Sequence, residues 1–479
     1  MKEFLKNGIL YSLGQLLIKG LAFLLIPLYS KYLGSEIYGQ LALVDIVYSF
    51  FSIFIIFSIY SGYARYYKED QANNGFATIF NFALISIIIQ GILILAFGRS
   101  FSIFLLKIGN SYTILKLIFI RISLEQIITL LEMTYSMNYK IKKIITFRLV
   151  ITLISLLTIL YLIIVKKEMI TGIYKGYILG NLLVLFYLLY DNKDKIKIIF
   201  EYNFFKKCFR FSLGILLGGV SYLILAMIDR FFLKEYQNFS QVGVYSMGYK
   251  FASLIEILFL ASFKKIFTPF KFKEYKKKNF QHKIDKFYNY YNIIGIIIFL
   301  LTSVNIKLIL YLFTTKEFLD AYLVTPIIIF SYLLYGQVEF YTIGIYLKNK
   351  TYLDSVVITL GGITNIILNI LLIKQYGMYG AAFSTIVSYI NMSIIYVYIS
   401  NKIFFLKFKF IEMFKIFTSG ISIYLIYFFI SFQNLNILLE TFLGNILVIL
   451  YIFFVYYYFI SKEDSLEIKK FILGKIKRR

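Results

Sequence analysis

Residues 81–97 read NFALISIIIQGILILAF. The run is apolar without interruption, and its length approaches the roughly 20 residues a helix needs to cross a bilayer. A membrane barrel strand would instead alternate apolar and polar residues over about ten positions. In lipid the backbone must satisfy its own hydrogen bonds, so the segment reads as a transmembrane helix. The same reading recurs along the whole chain. Fourteen spans are expected, at residues 8–29, 39–61, 76–97, 112–136, 146–165, 172–190, 211–233, 242–263, 289–311, 323–344, 353–373, 380–400, 415–432 and 441–460. The fold class is therefore all-α integral membrane.

Working outward, the 479 residues are 60% hydrophobic, too few polar side chains to cover soluble domains. The connections between spans are too short to fold as catalytic domains, so whatever the protein does is expected between helices, inside the bilayer. Prolines occur at Pro27, Pro269 and Pro326 only, and none marks a Pro-rich linker. The single cysteine, Cys208, leaves no intrachain disulfide framework and no cysteine metal site. His282, the single histidine, lies in a lysine-rich loop and reads as a solvated side chain. No catalytic residue, metal site or cofactor is expected. The opening MKEFLKNGILYSLG is basic and then apolar, like a signal peptide. No small-residue cleavage site follows it, so it reads as an uncleaved first span.

The formal net charge of +26 raises the question of nucleic acid, and its distribution answers it. One set of connections (1–7, 62–75, 137–145, 191–210, 264–288, 345–352, 401–414 and the tail from Ser461) holds roughly 34 Lys and Arg; the opposite set holds about 8. That bias places the basic set in the cytoplasm. Both termini are then cytoplasmic, as an even number of spans requires. FKKCFRF (205–211) and KFKEYKKKNFQHKIDK (271–286) read as topology determinants in contact with anionic membrane lipids. An RNA-binding reading would need a defined module with stacking aromatics, and none is seen.

The chain also echoes itself. Ser12-Leu13-Gly14 answers Ser212-Leu213-Gly214, and Gly39, opening the second span, answers Gly243, opening the eighth. The offset of about 200 residues equals six spans, which is a transporter design with the substrate cavity between repeats. Six is even, so the repeats would be parallel. The expected organisation is a six-helix bundle over 1–200, a second over 201–400, and spans 13 and 14 with a basic tail over 401–479.

Charges at mid-bilayer cost about 2.5–3.5 kcal/mol each on insertion scales, so each needs a reason. Lys19 lies in the first span, Asp45 in the second, and Arg65 at the mouth of the second. Arg121, Glu125 and Glu132 share one face of the fourth span. Asp229 and Arg230 lie near the end of the seventh, Lys250 and Glu256 in the eighth, and Glu339 in the tenth. One reading is simple pairing: Arg121 with Glu125 along a helix, Lys19 with Asp45 between neighbours. The other follows from their concentration in spans 1, 2, 4, 7 and 8, which would line a cleft between the halves. On that reading Lys19, Arg65, Arg121, Arg230 and Lys250 hold an anionic group such as a pyrophosphate. Asp45, Glu125, Asp229 and Glu256 carry a coupling H⁺ or Na⁺, or balance the bases. Asn365 and Asn369 share a face of the eleventh span, where hydrogen bonding to a neighbouring helix is expected ahead of sugar contact.

Four motifs occur in order: LIPLYSKYLGSEIYGQLALV (25–44), GYARYYKE (62–69), DRFFL (229–233) with VGVYSMGYKFASLI (242–255), and NIILNILLIKQYGMYGAAFSTIVSY (365–389). Together they resemble the polysaccharide-biosynthesis flippases, the Wzx-type O-antigen branch of the multidrug/oligosaccharidyl-lipid/polysaccharide exporter superfamily. The resemblance runs from the first span to the twelfth. It implies two six-helix bundles in a V plus two further helices, working by alternating access. It implies transport of an undecaprenyl-pyrophosphate-linked oligosaccharide repeat unit across the bacterial inner membrane, toward O-antigen, capsule or another surface polysaccharide. Glycan polymerase machinery joins the partner set on the same ground. The family tends to a cationic cavity, for which Lys19, Arg121, Arg230 and Lys250 are the candidates, and Asp229-Arg230 fits the family's Asp-Arg at the end of the seventh span. Two other readings stand beside it: a cation-coupled multidrug exporter of the same fold, kept open by Asp45 and Glu125, and a glycan polymerase or ligase, for which the large outer loops are missing.

Overall fold

The computed structural model describes residues 14–21, 23–70, 74–433 and 435–460. The start of the first span, the basic residues before it and the basic tail from Ser461 lie outside the described residues. Among the described residues every regular element is a helix. We number the α-helices α1 (Leu25–Phe54, continuing a helical stretch at 14–21), α2 (Ile59–Tyr66), α3 (Asn74–Leu106), α4 (Ser111–Met137), α5 (Ile141–Ile164), α6 (Ile170–Asp191), α7 (Tyr202–Met227) and α8 (Asp229–Tyr236). They continue with α9 (Phe239–Ile255), α10 (Ala261–Glu274), α11 (Phe280–Phe313), α12 (Ala321–Tyr341), α13 (Ile343–Leu347), α14 (Tyr352–Ile403), α15 (Phe410–Ser431) and α16 (Ile437–Tyr458).

Among the described residues ten helical runs are long and apolar enough to cross a membrane. Two of them fold back on themselves, and each supplies two spans. In α14 the turn is Gly377, at φ 53° and ψ −131°, a conformation that an L side chain resists. Its two arms run back alongside each other and touch. The Tyr396 hydroxyl donates to Asp354 at 2.5 Å, and the Asn391 amide donates to Thr364 at 2.9 Å. In α1 the turn is Gly34, at φ 65° and ψ 179°. Asp45, which accepts from the Tyr174 hydroxyl at 2.9 Å, lies in electrostatic range of Tyr29. On a straight helix the two would be about 24 Å apart. Two further segments are long enough to span: α4, with four charged side chains, and the α9–α10 pair, interrupted by a π-helical turn at Glu256–Leu260. The result is the expected architecture of about fourteen transmembrane helices.

The described residues fall into two compact units: one runs to Ser246 and adds 369–377, the other comprises the remainder. The boundary lies well past residue 200 because α7, α8 and the start of α9 pack on α1 and α2. Gly62 lies so close to Cys208 that a Cβ would stand 2.2 Å from its carbonyl oxygen. Gly39 and Gly243, the two positions of the internal echo, meet each other. A Cβ on Gly39 would lie 1.9 Å from the Phe239 oxygen, and one on Gly243 would lie 2.0 Å from the Ser35 oxygen. Each clash is with the residue one turn before the opposite glycine. The Ser35 and Ser240 hydroxyls bond beside them at 2.7 Å. The echo is thus a two-fold crossing of two helices at their backbones.

In the second unit α15 and α16 pack on α11. Lys307 on α11 pairs with Glu440 on α16 at 2.7 Å, and Tyr427 on α15 donates to the same carboxylate at 3.0 Å. Spans 13 and 14 are therefore part of this unit's core.

Candidate functional site

In the first unit α6 approaches α5 closely. A Cβ on Gly180 would stand 2.3 Å from Ser155 Oγ, and one on Gly176 would stand 2.5 Å from the Ile159 side chain. Small residues one turn apart permit such contact between membrane helices. This seating carries Tyr174, Tyr177 and Asn181 toward α4, where Arg121 is held between rings. Its guanidinium carbon lies 3.9 Å from the Tyr177 centroid, 4.2 Å from Tyr48 and 5.2 Å from Tyr174, all within cation–π range.

Arg121 Nε donates to Glu125 Oε1 at 3.0 Å. The Tyr48 hydroxyl donates to the other oxygen of Glu125, and the Asn181 amide reaches Oε1 at 3.3 Å. Two turns along, Arg148 on α5 places Nη2 2.6 Å and Nε 3.0 Å from Glu132 Oε2, and Nη2 also donates to Thr129 at 3.3 Å. These residues border a cavity of about 200 Å³ lined by Arg121, Glu125, Arg148, Ser155, Tyr177 and Asn181 over an apolar wall that includes Leu25 and Ile151.

The remaining candidates stand elsewhere. Lys19 is exposed, and Asp45, exposed as well, bonds Tyr174; the pairing expected between them is replaced by that hydrogen bond. Arg65, at the end of α2, is exposed. Arg230 is buried against its neighbour: Nη1 lies 3.0 Å from Asp229 Oδ1 and 3.0 Å from the Ala226 carbonyl. The Tyr245 hydroxyl completes Asp229 at 2.5 Å. That pair sits at the junction of α7 and α8 and ties it to α9. Asn365 and Asn369 are fully buried.

In the second unit Lys250 is exposed. Glu256 opens a π-helical turn, Glu256–Leu260, between α9 and α10, and lines a cavity of about 210 Å³ with Lys264, Glu339, Tyr346, Asp354 and Tyr396. Glu339 bridges Lys264 at 2.5 Å and Lys271 at 3.3 Å. At the last residue of α10, Glu274 accepts from Lys277 at 2.6 Å and Lys283 at 2.5 Å in the lysine-rich stretch that follows. Those two hydrogen bonds hold its carboxyl down at about 2.

The sequence reading missed Arg148, Tyr48, Tyr174, Tyr177 and Asn181. A signal existed for Arg148. It stands about two turns after the break at 138–140 and Glu132 about two turns before it, so a helical hairpin brings the two near each other,. The tyrosines carry no such signal in a chain with 44 of them.

A family model described as "polysaccharide biosynthesis protein" matches residues 30–274, just over half of the chain. The chain belongs to that family. Among solved structures, this chain is similar to the lipid II flippase MurJ in an inward closed conformation. The TM-score is 0.71 at 19% identity, over 94% of this chain and 99% of that one. An inward-facing multidrug resistance MATE transporter of the MOP superfamily gives 0.62 at 11% identity, over 80% of this chain and 93% of that one. A MOP superfamily transporter from Pyrococcus furiosus gives 0.53 at 12% identity, over 84% and 95%. At such identities the likeness is one of fold. No curated protein matches by sequence. By their descriptions these neighbours are a flippase and transporters.

Proposed function

We propose that this protein translocates a lipid-linked oligosaccharide, of the undecaprenyl-pyrophosphate repeat-unit type, across the bacterial plasma membrane for assembly into a surface polysaccharide. The observation that carries the reading is the family match, on a chain whose described residues are almost all membrane-spanning helix. The buried polar cluster of the first unit adds to it. Four charged side chains, Arg121, Glu125, Glu132 and Arg148, are kept at membrane depth, where such groups mark a substrate or ion path. The lipid tail stays in the bilayer while the polar head crosses between helices. Both termini lie in the cytoplasm on this reading, and a glycan polymerase acts on the product. A deletion strain should accumulate lipid-linked repeat units on the cytoplasmic leaflet and lose surface glycan. Normal glycan in the deletion strain would reject the reading.

A cation-coupled exporter is the second reading. Asp45 favours it, as an exposed carboxylate in the middle of a span, where an acidic group must face water rather than lipid. Raised drug susceptibility with unchanged glycan in the same strain would select it.

A further inference from the structure

The second span is broken at 55–58, between α1 and α2, inside an apolar stretch without glycine or proline, FFSIFIIFSIY (50–60). Phe57 and Ser58 both take a left-handed φ of 53°, a conformation that residues with a Cβ adopt only at a cost. The segment is packed rather than loose. Ile55, Ile56 and Ile59 are 0% exposed. The Phe57 ring lies 5.8 Å from Phe209 on α7 and 6.3 Å from Phe82 on α3.

The break takes one carbonyl away from its helical partner. In a continuous helix the Ile59 N–H would reach the Ile55 oxygen; here it donates to the Ile56 oxygen at 3.0 Å. The Ile55 oxygen accepts instead from α3, from the Ser86 hydroxyl at 2.6 Å and the Gln90 amide at 2.9 Å. Straightening the span would return the Ile59 N–H to Ile55. Ser86 can then turn back onto the Phe82 carbonyl, one turn earlier in α3, as helical serines do. Both arrangements satisfy the buried backbone, which is what an element with two discrete states requires. The left-handed residues oppose the bent state, and the two α3 side chains favour it.

The two halves of the span are tied to different partners. Before the break, Tyr48 bonds Glu125 on α4 and Asp45 bonds Tyr174 on α6. After it, α2 sits on α7: the Gly62 N–H donates to Ser212 at 3.1 Å, and Gly62 meets the Cys208 backbone. A change of bend at 55–58 therefore moves α2 and α7 against the helices that hold Arg121. We propose that 55–58 is a hinge of the second span, latched in the bent state by Ser86 and Gln90, and that the span straightens there during transport. The hinge serves either cargo, a lipid-linked glycan or a drug.

The test is a distance across the hinge, measured by double electron–electron resonance on the full chain in nanodiscs. Spin labels are attached through Ala64→Cys in α2 and Lys142→Cys in α5, both exposed positions; Cys208 is 0% exposed and takes no label. Gln90→Leu should move the chain from the bent distance toward a second one, changing the ratio of the two about fivefold, the worth of one hydrogen bond. Ser86→Ala, which only removes a hydroxyl, should shift the ratio in the same direction, and it stands in if Gln90→Leu does not elute as a single species. Adding Ser58→Gly, since glycine takes a left-handed φ freely, should return the population to the bent distance. An unchanged distance distribution in both α3 variants, or a shift that Ser58→Gly does not reverse, overturns the hinge.

Discussion

Replacing Gly39 by alanine tests the backbone crossing that joins α1 to α9. The new Cβ would stand 1.9 Å from the Phe239 oxygen, whereas carbon and carbonyl oxygen approach no closer than about 3.3 Å. The helices must part locally by about 1.4 Å, the difference of those two distances,. That movement also stretches the 2.7 Å bond between Ser35 and Ser240 beyond hydrogen-bonding range. Overpacking costs about 1–3 kcal/mol and the lost bond about 1 kcal/mol, so the substitution should destabilise the first unit by about 2–4 kcal/mol. Thermal unfolding in nanodiscs should show a fall of at least about 4 °C. Gly243→Ala should match it, because its Cβ meets the Ser35 oxygen in the same way. Once either alanine has parted the helices, the other costs little, so the double variant should resemble each single one. A melting temperature within about 1 °C of wild type, or fully additive single effects, would refute the reciprocal crossing.

Three further outcomes are expected. Arg121→Ala leaves Glu125 in a buried site without its cation, at a cost of about 3–5 kcal/mol; surface glycan should fall while membrane insertion persists, as quantified by glycan blotting against expression level. Gly377→Ala places a side chain at φ 53° with its Cβ 2.7 Å from Gln241 Oε1 and should cost about 1–3 kcal/mol, read as lowered thermal stability. Asp229→Asn removes the charge facing Arg230 and weakens the bond from Tyr245, so it should lower stability at least as much as Tyr245→Phe, which removes the hydroxyl alone. The reverse order would show that the hydroxyl, not the ion pair, secures the α7–α8 junction.

The spans were legible because an apolar run of membrane length declares itself without reference to any partner. Their ends were less so. The second span was expected over 39–61, yet it opens at Ser35 directly after Gly34 and is broken at 55–58, where Phe57 and Ser58 adopt left-handed φ of 53°. Nothing in FFSIFIIFSIY marks that break. It is supported from other helices: Ser86 donates to the Ile55 oxygen at 2.6 Å and Gln90 at 2.9 Å, while Gln126 reaches the Ser52 oxygen at 3.2 Å. The Arg121–Glu125 pair was legible from its spacing along one helix. Its tyrosine surround was not, since Tyr48, Tyr174 and Tyr177 come from two other helices and only packing selects them. The glycine echo pointed to a repeat, but equal spacing cannot say that the two copies touch.

The central claim is that this protein moves a lipid-linked glycan across the bilayer. Its most direct measurement is the leaflet distribution of lipid-linked repeat units in spheroplasts of a deletion strain, labelled by a membrane-impermeant sugar reagent, before and after re-expression of the chain. The account predicts that label is absent from the outer leaflet without the protein and restored with it. Outer-leaflet label at wild-type level in the deletion strain would contradict it.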